Sequence, residues 1–260
     1  MKILFTICGR AGSEGFKNKN LKVFCGNSLV NYTVSAIKLY IDKYGNDDDI
    51  DVVLSTDSNE LISIIREQKM LPINIIHREE RLSGGSVAKA SVICDCLVRM
   101  QEKTKKTYDI VVDLDITSPL RTVEDIRQAI EKKLERKDVN VVFSVTEARR
   151  NPYFNIVKRQ DKFVERAIAS EVTARQQAPD FYDMNASIYA YSPNALLRET
   201  PETLFNTRCE AIIMKDTGIL DIDCEEDFEL LQVIAMFFYE KYEDYNEIFS
   251  YLSSNCGNNN

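Results

Sequence analysis

A chain of 260 residues, 44% of them hydrophobic, can bury a full core as one large α/β domain or two smaller ones. Its 41 acidic residues against 33 basic ones leave a net formal charge of −8, which argues against nucleic acid as a partner, because phosphate backbones are held by clustered Lys and Arg. No stretch approaches the length of uncharged apolar sequence that a membrane span needs, and the seven cysteines are scattered without Cys-x-x-Cys pairs, as expected of reduced thiols in a cytoplasmic protein.

In chain order, residues 3–7 read as a buried strand, too short for the apolar region of a signal peptide. Directly after it stands Gly9-Arg10-Ala11-Gly12-Ser13-Glu14-Gly15-Phe16-Lys17-Asn18-Lys19-Asn20. Glycines let the backbone turn sharply and point N–H groups into a concavity, and Arg10, Lys17, Lys19 and Lys22 oppose the single anion Glu14. An anion cradle is one reading of this loop; a basic surface loop is the other. The spacing is neither Gly-x-x-x-x-Gly-Lys-Ser/Thr nor Gly-x-Gly-x-x-Gly, which sets aside the two commonest phosphate loops.

Strand and helix patterns then alternate: a helix over 28–43, a strand at 50–54, a helix over 59–69, a strand at 73–76, a helix over 87–101 and a strand at 110–114. A helix over 122–136 begins with Thr122 as N-cap and acids in its first turn, and a strand at 139–145 follows. Such alternation predicts an α/β fold with a mainly parallel sheet and helices on both faces. Ligands of such sheets bind beyond the carboxyl ends of the strands, where the basic loop and residues 115–122 fall.

Over 148–183 the alternation stops, and two short apolar runs at 154–157 and 163–168 are separated by charge, the pattern of an extended arm. Strands at 187–191, 211–214 and 219–223 and a helix over 227–240 complete the chain, with 253–260 expected to be disordered. We read 1–260 as a single domain that includes the arm. Asp221 and Asp223 are one residue apart in an extended stretch, so their side chains leave the same face with Cα atoms about 6.6–7 Å apart, within reach of one ion. Two carboxylates completed by phosphate and water suit Mg²⁺; a solvated acidic strand end is the alternative.

The loop residues Arg10, Gly12, Ser13, Gly15, Lys19, Asn20 and Leu21 stand where Ala-Arg-Gly-Gly-Ser-Lys-Gly-Ile-Pro-x-Lys-Asn-Leu stands in the acylneuraminate cytidylyltransferases, and the chain resembles that family. The resemblance continues through Ser55-Thr56-Asp57-Ser58, Thr117-Ser118-Pro119-Leu120-Arg121-Thr122, Arg175-Gln176-Gln177, Asn185 to Tyr189 and Asp221-Ile222-Asp223. It implies a Rossmann-like three-layer nucleotidyltransferase fold with a dimerisation arm; sialic, legionaminic and pseudaminic acids are all open as the sugar, and the Asp113-Leu114-Asp115-Ile116-Thr117-Ser118-Pro119 wording tilts the reading toward a bacterial, legionaminic acid-like branch. The implied reaction is attack by the anomeric hydroxyl of a nonulosonic acid on the α-phosphorus of CTP, with pyrophosphate leaving. Arg10 and Lys19 would neutralise the triphosphate while the Gly12 and Ser13 amides cradle it, and Asn20, Arg78 and Lys89 are further nucleotide-site candidates. Asp221 and Asp223 would hold Mg²⁺. Arg175, Asn185 and Tyr189 would meet the sugar, and the arm would reach a second subunit of a homodimer.

Several positions depart from the family pattern. Glu14 replaces its lysine, Glu79 a proline, Gly85 an aspartate, and Ala186 and Ser187 replace Gly and Ala. Asp115 stands where a glutamine that contacts the sugar is usual, and Asp113 and Asp115 make a second same-face acid pair. Sugar contact, metal contact and a structural hydrogen bond are all open to Asp115. His77, the only histidine, has no partner pattern around it. A different sugar nucleotidyltransferase, such as one for the eight-carbon sugar KDO, or a nucleotide-binding sensor without catalysis, are the competing functions.

Overall fold

The computed structural model describes residues 1–12, 15–198, 200–218 and 221–256. β1 (Lys2–Cys8) is buried on both faces: Ile3, Phe5 and Ile7 enter one core and Leu4 the other, the alternation a central strand requires. The basic loop ends in one 3-10 turn at Lys19–Leu21, and the short hairpin β2 (Val23–Phe24) and β3 (Asn27–Ser28) leads into α1 (Leu29–Tyr44). The predicted alternation follows as β4 (Asp49–Thr56), α2 (Asn59–Glu67), β5 (Asn74–His77), α3 (Lys89–Thr104), β6 (Ile110–Leu114), α4 (Val123–Glu135) and β7 (Val141–Glu147). Ser58 caps α2 by accepting the Leu61 amide at 3.2 Å. Thr122 and Asp125 form the reciprocal capping box at the head of α4, so the Thr122 and Asp125 amides are each satisfied by the other's side chain.

After β7 the arm projects as a separate hairpin, β8 (Val157–Gln160) with β9 (Phe163–Arg166), exposed on both strands. The chain returns through β10 (Tyr182–Tyr191), α5 (Pro193–Arg198), α6 (Pro201–Leu204) and β11 (Cys209–Ile213), and ends in α7 (Glu225–Lys241) and α8 (Glu243–Cys256). The main sheet has the order β11-β7-β10-β6-β1-β4-β5. Every neighbouring pair is parallel except those of β10, which runs antiparallel between β6 and β7. One core, with residues from α1, α2, α4, α7 and α8, covers one face; the other holds residues from α3, α5 and α6. Three layers result. Among the described residues no helix is long and apolar enough to cross a membrane.

Two expectations are corrected. The strand over 219–223 does not form over its described part: the Asp221 carboxylate accepts the Ile222 amide at 2.8 Å, and Asp227 Oδ2 accepts the Asp223 and Cys224 amides at 3.1 Å each. Those amides are the donors a sheet ladder would need, so the acids turn the chain into α7 instead. Residues 219 and 220 lie outside the described residues. The tail was expected to be disordered from 253, yet α8 runs to Cys256, anchored by fully buried Leu252 and by Tyr239 stacked on Phe249 at 4.4 Å. Residues 257–260 are outside the described part.

Candidate active site

The carboxyl ends of β1, β4 and β6 open on one edge of the sheet, and a cleft of about 180 Å³ lies there. Its lining includes Arg10, Lys19, Asn20, Arg78, Lys89, Asp115 and Asp221, seven of the residues singled out from sequence. They come from positions far apart in the chain because parallel strands deliver their following loops to the same edge.

The basic loop is held from beneath. Gly9 N–H donates to the Ser55 carbonyl at 3.1 Å, Ala11 N–H donates to Asp57 Oδ1 at 2.6 Å, and buried Asn20 donates through Nδ2 to the Arg10 carbonyl at 3.1 Å. Arg78 is anchored on Ser55, through Nη2 to its carbonyl at 2.8 Å and Nε to its hydroxyl at 3.3 Å. Gly12 has φ of +64°, the left-handed region that favours glycine. A Cβ on Gly15 would lie 2.9 Å from the Asp223 carbonyl oxygen, so this glycine lets the loop approach the acidic turn. Ser13 and Glu14 lie outside the described residues. The role of Asp57 escaped the sequence reading, although the Ser55 to Ser58 block was recognised.

Lys19 links the loop to the acidic turn. Its ammonium donates to the Ile222 carbonyl at 2.9 Å and lies 3.3 Å from Asp223 Oδ1 and 4.0 Å from Asp221 Oδ2. Burial, and then the negative charge of Asp115, push the Asp221 carboxyl up to about 6. Leaving the strand thus does not separate the two carboxylates: one cation stands within reach of both.

Lys89 begins α3 and lies between the other two acids, 2.7 Å from Asp113 Oδ2 and 2.5 Å from Asp115 Oδ2. Asp113 is fully buried and accepts Thr6 Oγ1 at 2.7 Å; Asp115 Oδ1 accepts the amide and hydroxyl of Thr117 at 2.8 and 2.7 Å. Burial opposes the Lys89 charge, but Asp113 and Asp115 outweigh it and hold its pKa well above the usual lysine value. Burial likewise opposes the Asp115 charge, and Lys89 with Thr117 nevertheless keeps that carboxyl well below the usual carboxylate range. Arg121, also buried, donates to the carbonyls of Asp115, Ser118 and Ser187 and so holds the loop after β6. Burial lowers its pKa to about 10. Its role was not anticipated, though it lies in the recognised Thr117 to Thr122 block.

Three candidate sugar ligands lie outside the cleft. Asn185 is buried in a bulge of β10, its Oδ1 accepting Ser144 Oγ at 2.5 Å and its Nδ2 directed at Met214 Sδ at 3.3 Å. Beside it Ala186 has φ of +53°, a left-handed geometry that suits the glycine usual at this position in the resembled family. Tyr189 is half-buried with its ring centroid 5.9 Å from Lys89 Nζ, and burial pushes its hydroxyl up to about 12. Arg175 is exposed on the arm, donates to the Ala148 carbonyl at 2.7 Å, and lines a separate cavity of about 490 Å³ with Glu147, Asn151 and Gln176.

The cytidylyltransferase family profile matches residues 4–248. The chain belongs to the cytidylyltransferase family. As a nucleotidyltransferase it is similar to a CMP-N,N'-diacetyllegionaminic acid synthase of Campylobacter jejuni, 35% identical over 234 residues that cover 90% of this chain and 94% of the relative. A post-translational flagellin modification protein B of Campylobacter coli is equally close, with the same identity and coverage. Among solved structures, a CMP:2-keto-3-deoxy-manno-octonic acid synthetase complexed with CTP superposes on this cytidylyltransferase with a TM-score of 0.62 over 92% of this chain and all of the other. That pair is 17% identical, so it speaks to the fold.

Proposed function

We propose that this enzyme transfers CMP from CTP to the anomeric hydroxyl of a nonulosonic acid of the legionaminic acid type, releasing pyrophosphate. The observation that carries the reading is the convergence of Arg10, Lys19, Arg78 and Asp221 in one cleft at the carboxyl edge of the sheet, in a chain 35% identical to a CMP-N,N'-diacetyllegionaminic acid synthase. Nucleotidyl transfer is mostly positioning and charge neutralisation, and this cleft supplies cations on a loop fixed by Ser55, Asp57 and Asn20. In this reading Arg10 and Lys19 take the triphosphate, with the Gly12 amide beside it and Asn20 and Arg78 completing the nucleotide side. Arg175, Asn185, Tyr189 and Asp115 are carried as sugar-side positions: Asn185 through the bulge it braces, Asp115 and Tyr189 through their contacts with Lys89.

Asp221 and Asp223 fit a divalent cation. Their oxygens already flank one positive charge, the Lys19 ammonium, and the elevated pKa of the half-buried Asp221 reflects desolvation and the negative charge of Asp115, which Lys19 only partly offsets. No group of three acidic, His or Cys ligands occurs among the described residues, so substrate oxygens and water would complete the shell, as is usual for Mg²⁺. When bound, Mg²⁺ would neutralise phosphate charge and could lower the pKa of the attacking hydroxyl. Lys19 holds the acidic turn against the loop, and Asp57 and Asn20 hold the loop itself.

The exposed apolar side chains of the β8–β9 hairpin support a homodimer. Phe163 is 77% exposed, with Val164 at 60% and Val157 at 58%, on a two-stranded element that cannot bury them by itself. A second copy would cover them and bring Arg175 to the partner's sugar side. A cytoplasmic location suits an enzyme that draws on CTP.

The test is pyrophosphate release from CTP and Mg²⁺ with a panel of legionaminic, pseudaminic and sialic acids and KDO. Release with the nine-carbon acids is expected. Preferential turnover of KDO would move the enzyme to the eight-carbon class, and CTP binding without release for any sugar would leave a sensor.

A further inference from the structure

Two aspartate pairs of identical spacing each place one member, Asp115 and Asp221, in the cleft lining, and their surroundings differ. In the Asp113–Asp115 pair three carboxylate oxygens accept hydrogen bonds, and the fourth, Asp113 Oδ2, makes no hydrogen bond but pairs with the Lys89 charge. Thr6 Oγ1 and the two Thr117 donors take one oxygen of each aspartate, and Lys89 Nζ stands 2.7 and 2.5 Å from the other two. Lys89 is the first residue of α3, which has no acid in its first turn. A cation at a helix N-terminus is opposed by the helix dipole, so the two carboxylates hold the lysine there and the helix does not. Its ammonium takes up the point on which an acid pair of this geometry would focus a divalent ion.

We propose that Lys89 is a built-in cation that occupies the Asp113–Asp115 pair, keeps divalent metal off it, and fixes Asp115 as a charge-balanced wall of the nucleotide cleft. Metal is thereby confined to the Asp221–Asp223 side. Without Lys89 the Asp115 carboxylate would face a polyanionic substrate with the buried Asp113 behind it; with it, and with the Arg121 guanidinium donating to the Asp115 carbonyl, the negative charge at the end of β6 is balanced. Lys89 is in this sense a positioning residue, acting on substrate and metal through Asp115. The inference rests on the cytidylyl-transfer reading only for what the cleft accommodates; occupancy of the acid pair does not depend on it.

The experiment is Mn²⁺ binding to the full-length protein without nucleotide, followed by the paramagnetic resonance signal of free Mn²⁺. Lys89→Met is expected to bind one Mn²⁺ per chain more than the native protein. Lys89→Arg is expected to keep the native stoichiometry, and Lys89→Met combined with Asp115→Asn to lose the added site. Absence of additional Mn²⁺ in folded Lys89→Met, or an added site that survives Asp115→Asn, would overturn the proposal. If Lys89→Met does not fold, Asp115→Asn in the otherwise native chain decides: unchanged Mn²⁺ affinity supports the proposal. A fall of about tenfold or more, the loss typical of disturbing a metal site's ligand sphere, overturns it. Pyrophosphate release by the native enzyme is read separately, so a failure of the reaction leaves the Mn²⁺ result standing.

Discussion

The Asp113–Asp115 and Asp221–Asp223 pairs share one spacing and are exposed very differently. Asp113 and Asp115 side chains are 0% and 17% exposed at the end of a central strand, whereas Asp221 and Asp223 are 32% and 79% exposed on a turn before α7. Burial demands compensation within the chain, so the first pair is closed by Lys89, Thr6 and Thr117. The second meets the Lys19 ammonium of the basic loop and is otherwise open to solvent. The same two carboxylates therefore serve structure in one place and are suited to ion and phosphate chemistry in the other.

Breaking the closed pair is expected to give the largest effect. Asp113→Ala should destabilise the protein by about 3 kcal/mol, because it removes a fully buried acceptor from the Thr6 hydroxyl and a partner from the half-buried Lys89 ammonium, and urea unfolding measures this directly. A loss under about 0.5 kcal/mol, the range of ordinary surface substitutions, would mean that the pair does not carry the fold at this edge.

The open pair should respond in the opposite manner. Asp221→Asn and Asp223→Asn are expected to lower pyrophosphate release by about 10²-fold or more while leaving the thermal midpoint nearly unchanged. Arg10→Ala and Lys19→Ala should follow the same pattern, since neither residue fills a core position. Near-native turnover in both aspartate variants would remove the functional side of the contrast.

A mixed dimer sharpens the distinction between cleft and arm. Arg175→Ala and Asp221→Asn subunits, each impaired alone, should regain activity when mixed, because one of the two shared sites then has an intact arm and an intact acid pair. Verified heterodimers without recovered activity would confine the arm to a role within its own subunit.

The smallest expected effect is a pH dependence, because the Asp221 side chain is 32% exposed and solvent screens its interactions. The Asp221 carboxyl titrates near 6 in the folded chain against an ordinary 3.8, so the folded state binds the proton more tightly than the unfolded state. In metal-free protein this contribution is fully present below the ordinary value and is lost as pH rises toward and through about 6. Thermal midpoints measured with chelator from pH 4 to 7 should show that loss, and Asp221→Asn should flatten it. An unchanged slope in the variant would assign the dependence to other groups.

Much of the site was legible because it follows from local rules. The basic loop after β1 fell at the carboxyl edge, as the topology of alternating strands and helices demands, and Arg10, Lys19, Asn20, Arg78, Lys89, Asp115 and Asp221 meet in one cleft. What escaped were partnerships that only the folded loops and helix packing create. Asp57 under the loop, Arg121 behind Asp115, and Lys89 between two aspartates each depend on a contact that no spacing announces. The strand expected at 219–223 failed for a local reason that pattern reading overlooks, the capture of its amides by Asp221 and Asp227.

The sequence by itself determined the alternation of strands and helices from β1 to β7, because hydrophobic periodicity, capping residues and glycine placement act over a few residues. It also determined which residue types stand at the carboxyl edge. Only the tertiary structure decided which of two identical aspartate pairs would be closed by an internal lysine. Residue 89 at the start of α3 and residues 113 and 115 at the end of β6 are brought together by packing a helix against the sheet, and the energy that ionises or silences each carboxylate depends on that burial and those partners.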